Sequence, residues 1–555
     1  MPEAQGYTGF DVTDKTGEKY EEELAKEMIR QFNDLKGQRS TWESHWSEIA
    51  RLMIPMHRNL FQNIGSMTTQ GEKRNQDVLD SAPVLGMNRF GAIIDSLLTP
   101  ANQFWHQITT TDPILKRDKA SMDWYQTVNN ILFNYRYAPK ANFAAQNQNQ
   151  FLSLGGYGTG GLLIDDLAGS TGIRYKNTHL SELFLQENHQ GVVDRVCRYF
   201  GLTARQACQK FGEKCPKPIR EKAGVNPEFM YFFIHWVLPR SDKDPMRQDF
   251  KGMDYASYYI SIEEKTIVAE GGYRSFPYAI SRYQQSPMEP YGRSPAMDAL
   301  PAVKTLYKQK LALLKQGEMA TDPVILVHDD GIMDGASVES GTWISGAMSA
   351  NGQPLVGTLP IGRVDIGKEQ MDDEKAQIND HFLVTLFQIL TETPEMTATE
   401  VMERVREKAI LMAPTILRQQ SEYLGPMIER EIDILAAQGQ LPPMPRMLRD
   451  AQGQYEITYD SPISRTQKSE WAAGAMRSIE MALNVAAQTQ DPSYLFYFNF
   501  EEIIPQVSQI HGTPSTWLNS AETVAQMKSA LDKQRQMQMA IEAAPAAAGL
   551  AKAAK

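Results

Sequence analysis

Cysteine, long hydrophobic runs and positive charge are all scarce in this chain of 555 residues. Its three cysteines, Cys197, Cys208 and Cys215, cannot all pair, and their spacing, without an accompanying histidine, matches no zinc site. The most apolar run, FMYFFIHWVL at Phe229–Leu238, is only about half as long as a membrane-spanning helix. The N-terminus is acidic and polar, so we expect no signal peptide. These absences predict a protein of a reduced, cytoplasmic environment that does not cross a membrane.

The composition is that of a folded, acidic protein. Hydrophobic residues make up 42% of the chain and charged residues 22%, which is typical of globular domains. The length predicts roughly two to four substructures, because a single core does not grow to this size. The formal net charge of −11 argues against a protein that binds nucleic acid without regard to sequence, since such proteins usually carry a basic face.

Hydrophobic periodicity predicts an α+β fold. Apolar residues at helical spacing indicate a first helix over residues 20–35. A second helix is predicted to begin with Ser40 as its N-cap and Glu43 completing a capping box, and to stop at Pro55. Strand-like segments are predicted at residues 161–166, 191–200, 229–238, 255–262 and 266–269.

Cap signals predict the helices farther along the chain. Thr203 is the predicted cap of a helix that reaches residue 211. Ser294, followed by a proline at the first helical position, begins a long helix that continues to about residue 319 and is expected to kink at Pro301. Another long helix is predicted over residues 366–390.

Two glycine-rich segments invite comparison with nucleotide-binding loops. GYGTGG at residues 156–161 satisfies GxGxxG, but the dinucleotide fingerprint needs a strand before it and a helix after it, and here that order is reversed. GRVDIGKE at residues 362–369 spells GxxxxGK before a predicted helix, which is the context of a phosphate loop. Glu369 replaces the serine or threonine that holds Mg²⁺, and its charge would repel phosphate. An ATPase motor stays an alternative, for which Lys368→Ala should abolish turnover.

The rest of the chain supplies no catalytic constellation. It contains no GxSxG elbow, no HExxH motif and no paired cysteine and histidine. His45 and His57 are isolated, as structural histidines usually are. We therefore expect no enzymatic activity, no cofactor and no bound metal.

The segment Pro394–Ala437 carries the most specific signals. Thr397 and Glu400 form a capping box at the start of one helix. A second apolar stripe at helical spacing follows, and Gly439 closes it. Helical proteins of any function could share these features, so the specific signal lies in the particular amino-acid sequence of the segment.

The amino-acid sequence of this segment closely resembles those of the portal, or head-to-tail connector, proteins of short-tailed bacteriophages. MTATEV followed by SEYLGPMIER carries the first match, and YGRSPAMDALPAVKTL at Tyr291–Leu306 carries the second. A third match is LTPANQFWHQI at Leu98–Ile108, together with the GYGTG turn that begins at Gly156. The three matches occur in family order, and together they cover most of the chain from about residue 30 to 440.

The resemblance implies a portal fold, with a mixed α/β wing, long tilted stem helices, a small β-rich clip and a helical C-terminal crown. The expected parts are the N-terminal wing at residues 1–200, a first stem helix at 201–224, the clip at 225–290, a second stem helix at 291–320, strands and the tunnel loop at 321–365, a long channel-side helix at 366–392, the wing return and start of the crown at 393–520, and a partly disordered crown tail at 521–555.

The resemblance also implies a structural and mechanical function. A homo-oligomeric ring of about twelve subunits would occupy one capsid vertex. Double-stranded DNA would pass through it in packaging and ejection, while terminase large subunit, tail or adaptor proteins, and capsid and scaffold proteins would dock on it. The expected location is the head–tail junction of the virion, and the host cytoplasm during assembly. The other alternative is a non-portal virion protein, which should not form closed rings alone.

Five basic residues are the predicted DNA-facing groups. At 100° per residue, Lys304, Lys308 and Lys315 fall within an arc of about 40° on one long helix. On an isolated protein such an arc is an ordinary solvated edge. Arg363 and Lys368 lie beside the predicted tunnel loop. Weak, exchangeable phosphate contacts are expected of all five, because tight binding would stall the DNA.

Overall fold

The computed structural model describes residues 17–62, 71–167, 169–247, 249–322, 325–327, 348, 351–352, 354, 356–358, 364–385, 412–459, 462–489, 491–510, 519 and 523–534. The chain divides into two compact units, Met1–Ser96 with Pro139–Ile434 and Leu97–Ala138 with Leu435–Lys555. Helices occur together with antiparallel sheets, which confirms the predicted α+β class.

The helices are α1 (Gly17–Gln38), α2 (Ser40–Met53), α3 (Ala82–Leu98), α4 (Pro113–Arg117), α5 (Lys119–Arg136), α6 (Phe143–Tyr157), α7 (Ala204–Phe211), α8 (Lys217–Val225), α9 (Pro295–Thr321), α10 (Val364–His381), α11 (412–419), α12 (Gly425–Ala437), α13 (Arg446–Asp450), α14 (Pro462–Thr489), α15 (Phe500–Ile510) and α16 (523–534). The strands are β1 (His106–Thr109), β2 (Thr159–Asp166), β3 (Ile173–Thr178), β4 (Leu183–Glu187), β5 (Val193–Thr203), β6 (Met230–Pro239), β7 (Tyr255–Ser261), β8 (Thr266–Tyr273), β9 (Tyr278–Arg282), β10 (Ile325–Val327), β11 (Val356–Thr358) and β12 (Glu456–Tyr459).

A five-stranded antiparallel sheet in the order β4-β5-β6-β7-β8 organises one core of the first unit. Side chains of β6 alternate between its two faces: Tyr231 and Phe233 meet α7 and α8, whereas Ile234 and Trp236 meet α1. Because helices cover both faces, the strand has no solvent-facing side. This burial explains why FMYFFIHWVL reads as a continuous apolar run rather than an alternating one.

A three-stranded sheet in the order β3-β2-β9 forms the second core of this unit. α6 leads directly into β2 and packs against it. β9 pairs antiparallel with β2, with Thr159 opposite Arg282. The end of the β-rich stretch therefore lies in a different sheet from β6, β7 and β8, which sequence periodicity did not indicate.

The second unit joins segments that are far apart in sequence. β1 pairs antiparallel with β12, with His106 opposite Tyr459. Trp124 donates from Nε1 to the carbonyl oxygen of Pro442, 2.9 Å away. Trp105, which lies in LTPANQFWHQI, is buried, and the Arg136 guanidinium carbon is 4.6 Å from its ring centroid. The motif thus forms part of this unit's core.

α2 begins without the predicted Ser40 cap. Arg39 precedes the helix with φ −86° and ψ −6°, which are helical values, and makes no side-chain cap bond. The buried Arg39 guanidinium instead pairs with Glu43, 2.7 Å away. The capping-box prediction was wrong here because Glu43 neutralises a buried cation. The stop before Pro55 agrees with the sequence, and Trp46 of this helix is buried.

The residues expected to form the first stem helix and the clip contribute to one sheet and to the helices that cover it. Residues 201–224 hold two short helices, α7 and α8, separated by Cys215 and Pro216, and both pack on the sheet. Residues 225–290 supply β6, β7 and β8 to the sheet begun by β4 and β5. The structure thus gives two short helices at 201–224 and three strands of a shared sheet within 225–290, while the assignment of these residues to stem and clip stays a prediction. The cap at Thr203 is confirmed, since its side chain accepts from the Gln206 amide in a complete capping box.

The helices predicted after residue 290 agree with the structure only in part. α9 begins at Ser294 as predicted and continues through Pro301, while the kink stays a prediction. The helix predicted over 366–390 is shorter, because α10 ends at His381 and Leu383 adopts a φ of +62°. The predicted capping box at Thr397 lies outside the described residues.

The helix after that point agrees with the sequence. α11, a π-turn at Gln420–Leu424 and α12 follow one another without a break. Leu424 and Ile428 of the predicted stripe are buried. Gly439 has a φ of +67°, and the next amide, of Gln440, donates to the Leu435 carbonyl over 2.9 Å, which closes the helix.

Candidate functional site

The GYGTG turn is the junction between α6 and β2, and two backbones touch there. Gly158 ends α6 with a φ of +74°. A Cβ on Gly158 would overlap the carbonyl oxygen of Gly292, and a Cβ on Gly292 would overlap that of Gly158. The Gly292 amide also donates to Thr159 Oγ1 over 2.7 Å. These glycines permit close backbone packing. The GxGxxG pattern therefore has a packing role here and does not form a nucleotide-binding loop, as the reversed element order predicts.

The YGRSP segment fixes the start of α9 at this junction. Ser294 Oγ accepts from the Met297 amide over 3.1 Å and donates to the Gly156 carbonyl over 2.9 Å. Tyr291 is buried, and its hydroxyl accepts from the Leu185 amide over 3.3 Å. Ser294 therefore both caps α9 and bonds it to the end of α6.

The SEYLG segment reaches the same region through the π-turn that precedes α12. Tyr423 is fully buried and donates its hydroxyl to Asn147 Oδ1 of α6 over 2.6 Å. Glu422 pairs with the buried guanidinium of Arg282 over 3.0 Å, and Glu187 pairs with the same guanidinium. π-turns require extra stabilising contacts, and these side chains supply them. Three motifs that are distant in sequence thus meet around α6.

From this junction α9 leaves the protein core. The side chains of its first half that face inward, including Leu300, Val303 and Tyr307, are buried. In its second half Leu311, Leu314 and Met319 are 46%, 49% and 47% exposed. The apolar pattern of α9 continues past the point where the chain itself covers these side chains, which is typical of a surface that another protein covers.

α10 packs against the second half of α9 in the antiparallel direction. A Cβ on Gly367, near the start of α10, would lie 3.6 Å from Leu313 near the end of α9. Asp80 lies within 4.0 Å of both Lys310, earlier on α9, and Lys375, later on α10. The later position on α9 meets the earlier position on α10, and the earlier position on α9 meets the later position on α10 through Asp80. The two helices therefore run antiparallel.

The five predicted DNA-facing cations are not gathered at one point. Lys304 pairs with Glu48 over 2.7 Å. Lys308 and Lys315 are exposed on α9, and Lys368 is exposed on α10. Arg363 lies outside the described residues. The DNA-facing role of these residues stays a prediction.

The GxxxxGK segment does not form a phosphate loop. α10 already begins at Val364, so Gly367 and Lys368 lie inside the helix. A phosphate loop needs a non-helical turn whose amides wrap around the anion, whereas here the residues from Val364 onward are wound into a helix that leaves only the amides of its first turn unengaged. The first two residues, 362 and 363, lie outside the described residues.

Histidines that look isolated in sequence meet in the core. His57 Nδ1 lies 3.0 Å from the Tyr157 hydroxyl and 3.3 Å from Nε2 of His179. Burial, with a smaller contribution from Arg74, lowers the pKa of His57 to about 4. Burial also holds the pKa of His179 and of His235 well below the ordinary value. These are buried, neutral core groups, and His57 is structural as the sequence predicts. The meeting of His57 with His179 was not predicted, because no local signal reveals it.

Neither a metal-binding cluster nor a membrane-spanning helix occurs in the described ranges. Within them, no three or more histidine, cysteine and acidic side chains come together in a way that could hold a metal ion. No helix within the same ranges is both long enough and apolar enough to span a membrane.

Comparison with known proteins gives a consistent result. The family described as "Bacteriophage head to tail connecting protein" matches residues 25–518. The "Portal protein" of Salmonella phage epsilon15 is 24% identical over 539 residues, covering 95% of this chain and 94% of that protein. The "Probable portal protein" of Bordetella phage BPP-1 is 27% identical over 435 residues, covering 76% of this chain and 77% of that protein. Among solved structures, a chain from "Neck of empty GTA particle computed with C6 symmetry" has a TM-score of 0.35 at 9% identity and covers 74% of this chain and 91% of that chain, a likeness too weak to carry an argument.

Proposed function

The chain belongs to the bacteriophage head-to-tail connecting protein family, and we propose that it works as the ring-shaped portal of a phage head. A ring of about twelve subunits occupies one vertex of the capsid. Double-stranded DNA enters the head through this ring in packaging and leaves through it in ejection. The family match over residues 25–518 is the observation that carries the proposal.

We assign the two stem helices to α9 and α10. A portal stem consists of two long helices with the clip between them, as the resemblance implies. α9 and α10 support this assignment because they are long, pack antiparallel and are joined by one connecting segment, residues 322–363. The clip then falls within that segment, which contains β10 and β11. This assignment replaces 201–224 as the first stem helix and 225–290 as the clip.

The proposal makes the protein a structural platform rather than an enzyme. The energy for packaging comes from a separate terminase ATPase, and the helical setting of Gly367 and Lys368 supports this division. Terminase docks at the clip during packaging and tail proteins attach there afterwards, while capsid and scaffold proteins contact the ring during head assembly. The mature location is the head–tail junction of the virion, and assembly takes place in the host cytoplasm.

Electron microscopy of the purified protein in negative stain tests the ring. End-on views should show closed rings whose central channel is wide enough for duplex DNA. Circular dichroism on the same sample confirms that the subunits are folded. Folded monomers or open, irregular oligomers would contradict the proposal.

Lys368 is the described cation that fits a DNA contact most simply, because it is exposed near the start of α10 and has no ion-pair partner among the described residues. Lys368→Ala should lower the amount of DNA packaged by roughly a few-fold, since one weak phosphate contact per subunit is lost. Lys214→Ala, also at an exposed lysine, is the matched control. Unchanged packaging by intact Lys368→Ala rings would show that Lys368 does not face the DNA.

A further inference from the structure

The outer side of α9 is basic. Measured around the helix at 100° per residue from Leu313, which faces α10, Lys304, Lys308 and Lys315 all lie roughly 140–180° away. Leu311 and Met319, both about half exposed, lie on the same side. The edge of α9 that points away from α10 therefore carries three lysines, partly exposed apolar side chains and one exposed carboxylate, Glu318, which lies about 140° from Leu313, so its formal charge is positive but not uniform.

The outer side of α10 is acidic. Measured in the same way from Gly367, which faces α9, the exposed carboxylates lie roughly 120–160° away on α10. They are Glu369, Asp372, Asp373 and Asp380. The pair of helices thus carries positive charge along one outer edge and negative charge along the other.

Most of this charge has no ion-pair partner within the described part of the subunit. On α9, Lys304 is engaged by Glu48 over 2.7 Å, which leaves Lys308 and Lys315. On α10, Asp372 is engaged by Lys375 over 3.3 Å. The remaining acidic side chains, Glu369, Asp373 and Asp380, are exposed and have no ion-pair partner among the described residues.

We propose that the α9 edge of one subunit docks against the α10 edge of the next copy of this chain around the ring. The proposal rests on the ring proposed above and names the surfaces that close it. In a ring, each contact is head-to-tail and joins two different surfaces of the same chain, so one subunit must carry both halves. Opposite charges on the two edges meet this requirement, because they favour neighbours in one orientation and repel like edges.

The apolar side chains favour a protein neighbour over DNA. Leu311 and Met319 lie among the lysines of α9, and their half-exposed surfaces gain free energy when another protein covers them. A phosphate backbone offers them no such cover. Lys308 and Lys315 therefore contact carboxylates of the neighbouring subunit, and their predicted DNA-facing role is the competing account that the experiment decides.

Charge reversal with rescue tests this contact. One variant reverses the α9 edge (Lys308→Glu with Lys315→Glu), a second reverses the α10 edge (Glu369→Lys with Asp373→Lys), and a third combines all four changes and keeps the wild-type net charge. All four positions are exposed, so each variant should fold, which circular dichroism and thermal melting check. Lys214→Glu with Lys217→Glu, at two exposed lysines beside and in α8, makes the same charge change away from both edges.

Sedimentation velocity at one protein and salt concentration measures the fraction of subunits in rings. Each single-edge reversal should lower that fraction at least about tenfold, because it places like charges opposite each other, and the combined variant should restore it. The α8 control should form rings like the wild type. Wild-type and combined subunits, mixed and examined by native mass spectrometry, should form separate rings.

Three results would overturn the inference. Normal rings in the α9 reversal would show that these lysines do not face a neighbour, as the DNA-facing account expects. Failure of the combined variant to recover, with the control intact, would show that the two edges do not meet. Absence of rings in the folded wild-type protein would remove the proposed function itself, and this contact with it.

Discussion

At the scale of single residues, the most informative positions are those where backbone rather than side chain makes the contact. Gly158 combines a φ of +74° with an approach to Gly292 that leaves no room for a methyl group. The two glycines belong to different motifs of the portal resemblance. Their contact gives a physical reason for glycine at both places that has nothing to do with nucleotides.

Gly158→Ala should destabilise the protein by about 2–4 kcal/mol, because alanine is strained at positive φ and its Cβ meets the Gly292 carbonyl. Gly169→Ala separates the two causes. Gly169 has the same φ of +74°, but a Cβ built there meets nothing within 4 Å among the described residues. That control should lose only about 1 kcal/mol. Urea unfolding of both variants measures the difference, and equal losses would show that the backbone contact is unimportant.

At the scale of elements, the start of α9 decides where the whole helix pair lies. Ser294 is both the helix cap and a donor to the last turn of α6 through Gly156. Beyond Tyr307 the helix is held mainly by α10 and by Asp80, which lies near a lysine of each helix. The first turn therefore anchors the helix whose second half carries the proposed contact with another subunit.

Ser294→Ala should lower the free energy of unfolding by about 1–2 kcal/mol, because a helix cap is lost and the buried Gly156 carbonyl loses a donor. Thr305→Ala, on an exposed turn of the same helix, should cost no more than about 0.5 kcal/mol. Chemical denaturation monitored by circular dichroism compares the two. A Ser294→Ala protein as stable as Thr305→Ala would mean that the cap does not hold α9.

At the scale of the whole molecule, buried neutral histidines tie stability to pH. His57 has a pKa of about 4 when folded, below the ordinary value of 6.5. Between these values the unfolded chain binds a proton that the folded chain does not. The free energy of unfolding therefore falls as the pH is lowered from about 6.5 towards 4.

His57→Gln should weaken this pH dependence by up to about 1.4 kcal/mol per pH unit between pH 4.5 and 6, although it also removes packing at every pH. His189→Gln, at an exposed histidine, is the matched control for the substitution itself. Urea titrations at several pH values give the slopes. An unchanged slope in His57→Gln would place the acid sensitivity elsewhere in the molecule.

Local signals in the sequence were sufficient to predict several helix boundaries of this protein. The cap at Thr203, the start at Ser294 and the stop at Gly439 depend on residues within one or two turns, so their chemistry is readable without the fold. The family was readable for a similar reason, since its motifs are short and occur in order.

Contacts between distant residues needed the tertiary structure. β9 leaves the five-stranded sheet for β2, α10 pairs with α9, and Glu43 serves a buried arginine instead of a cap. Each outcome depends on which surfaces remain available once other elements have packed, and periodicity does not record that. The assignment of stem and clip depends on the same kind of contact, which is why we propose it from α9 and α10 rather than from 201–224 and 225–290. The opposite charges on the outer edges of α9 and α10 became visible only when Leu313 and Gly367 fixed which sides of the helices face each other.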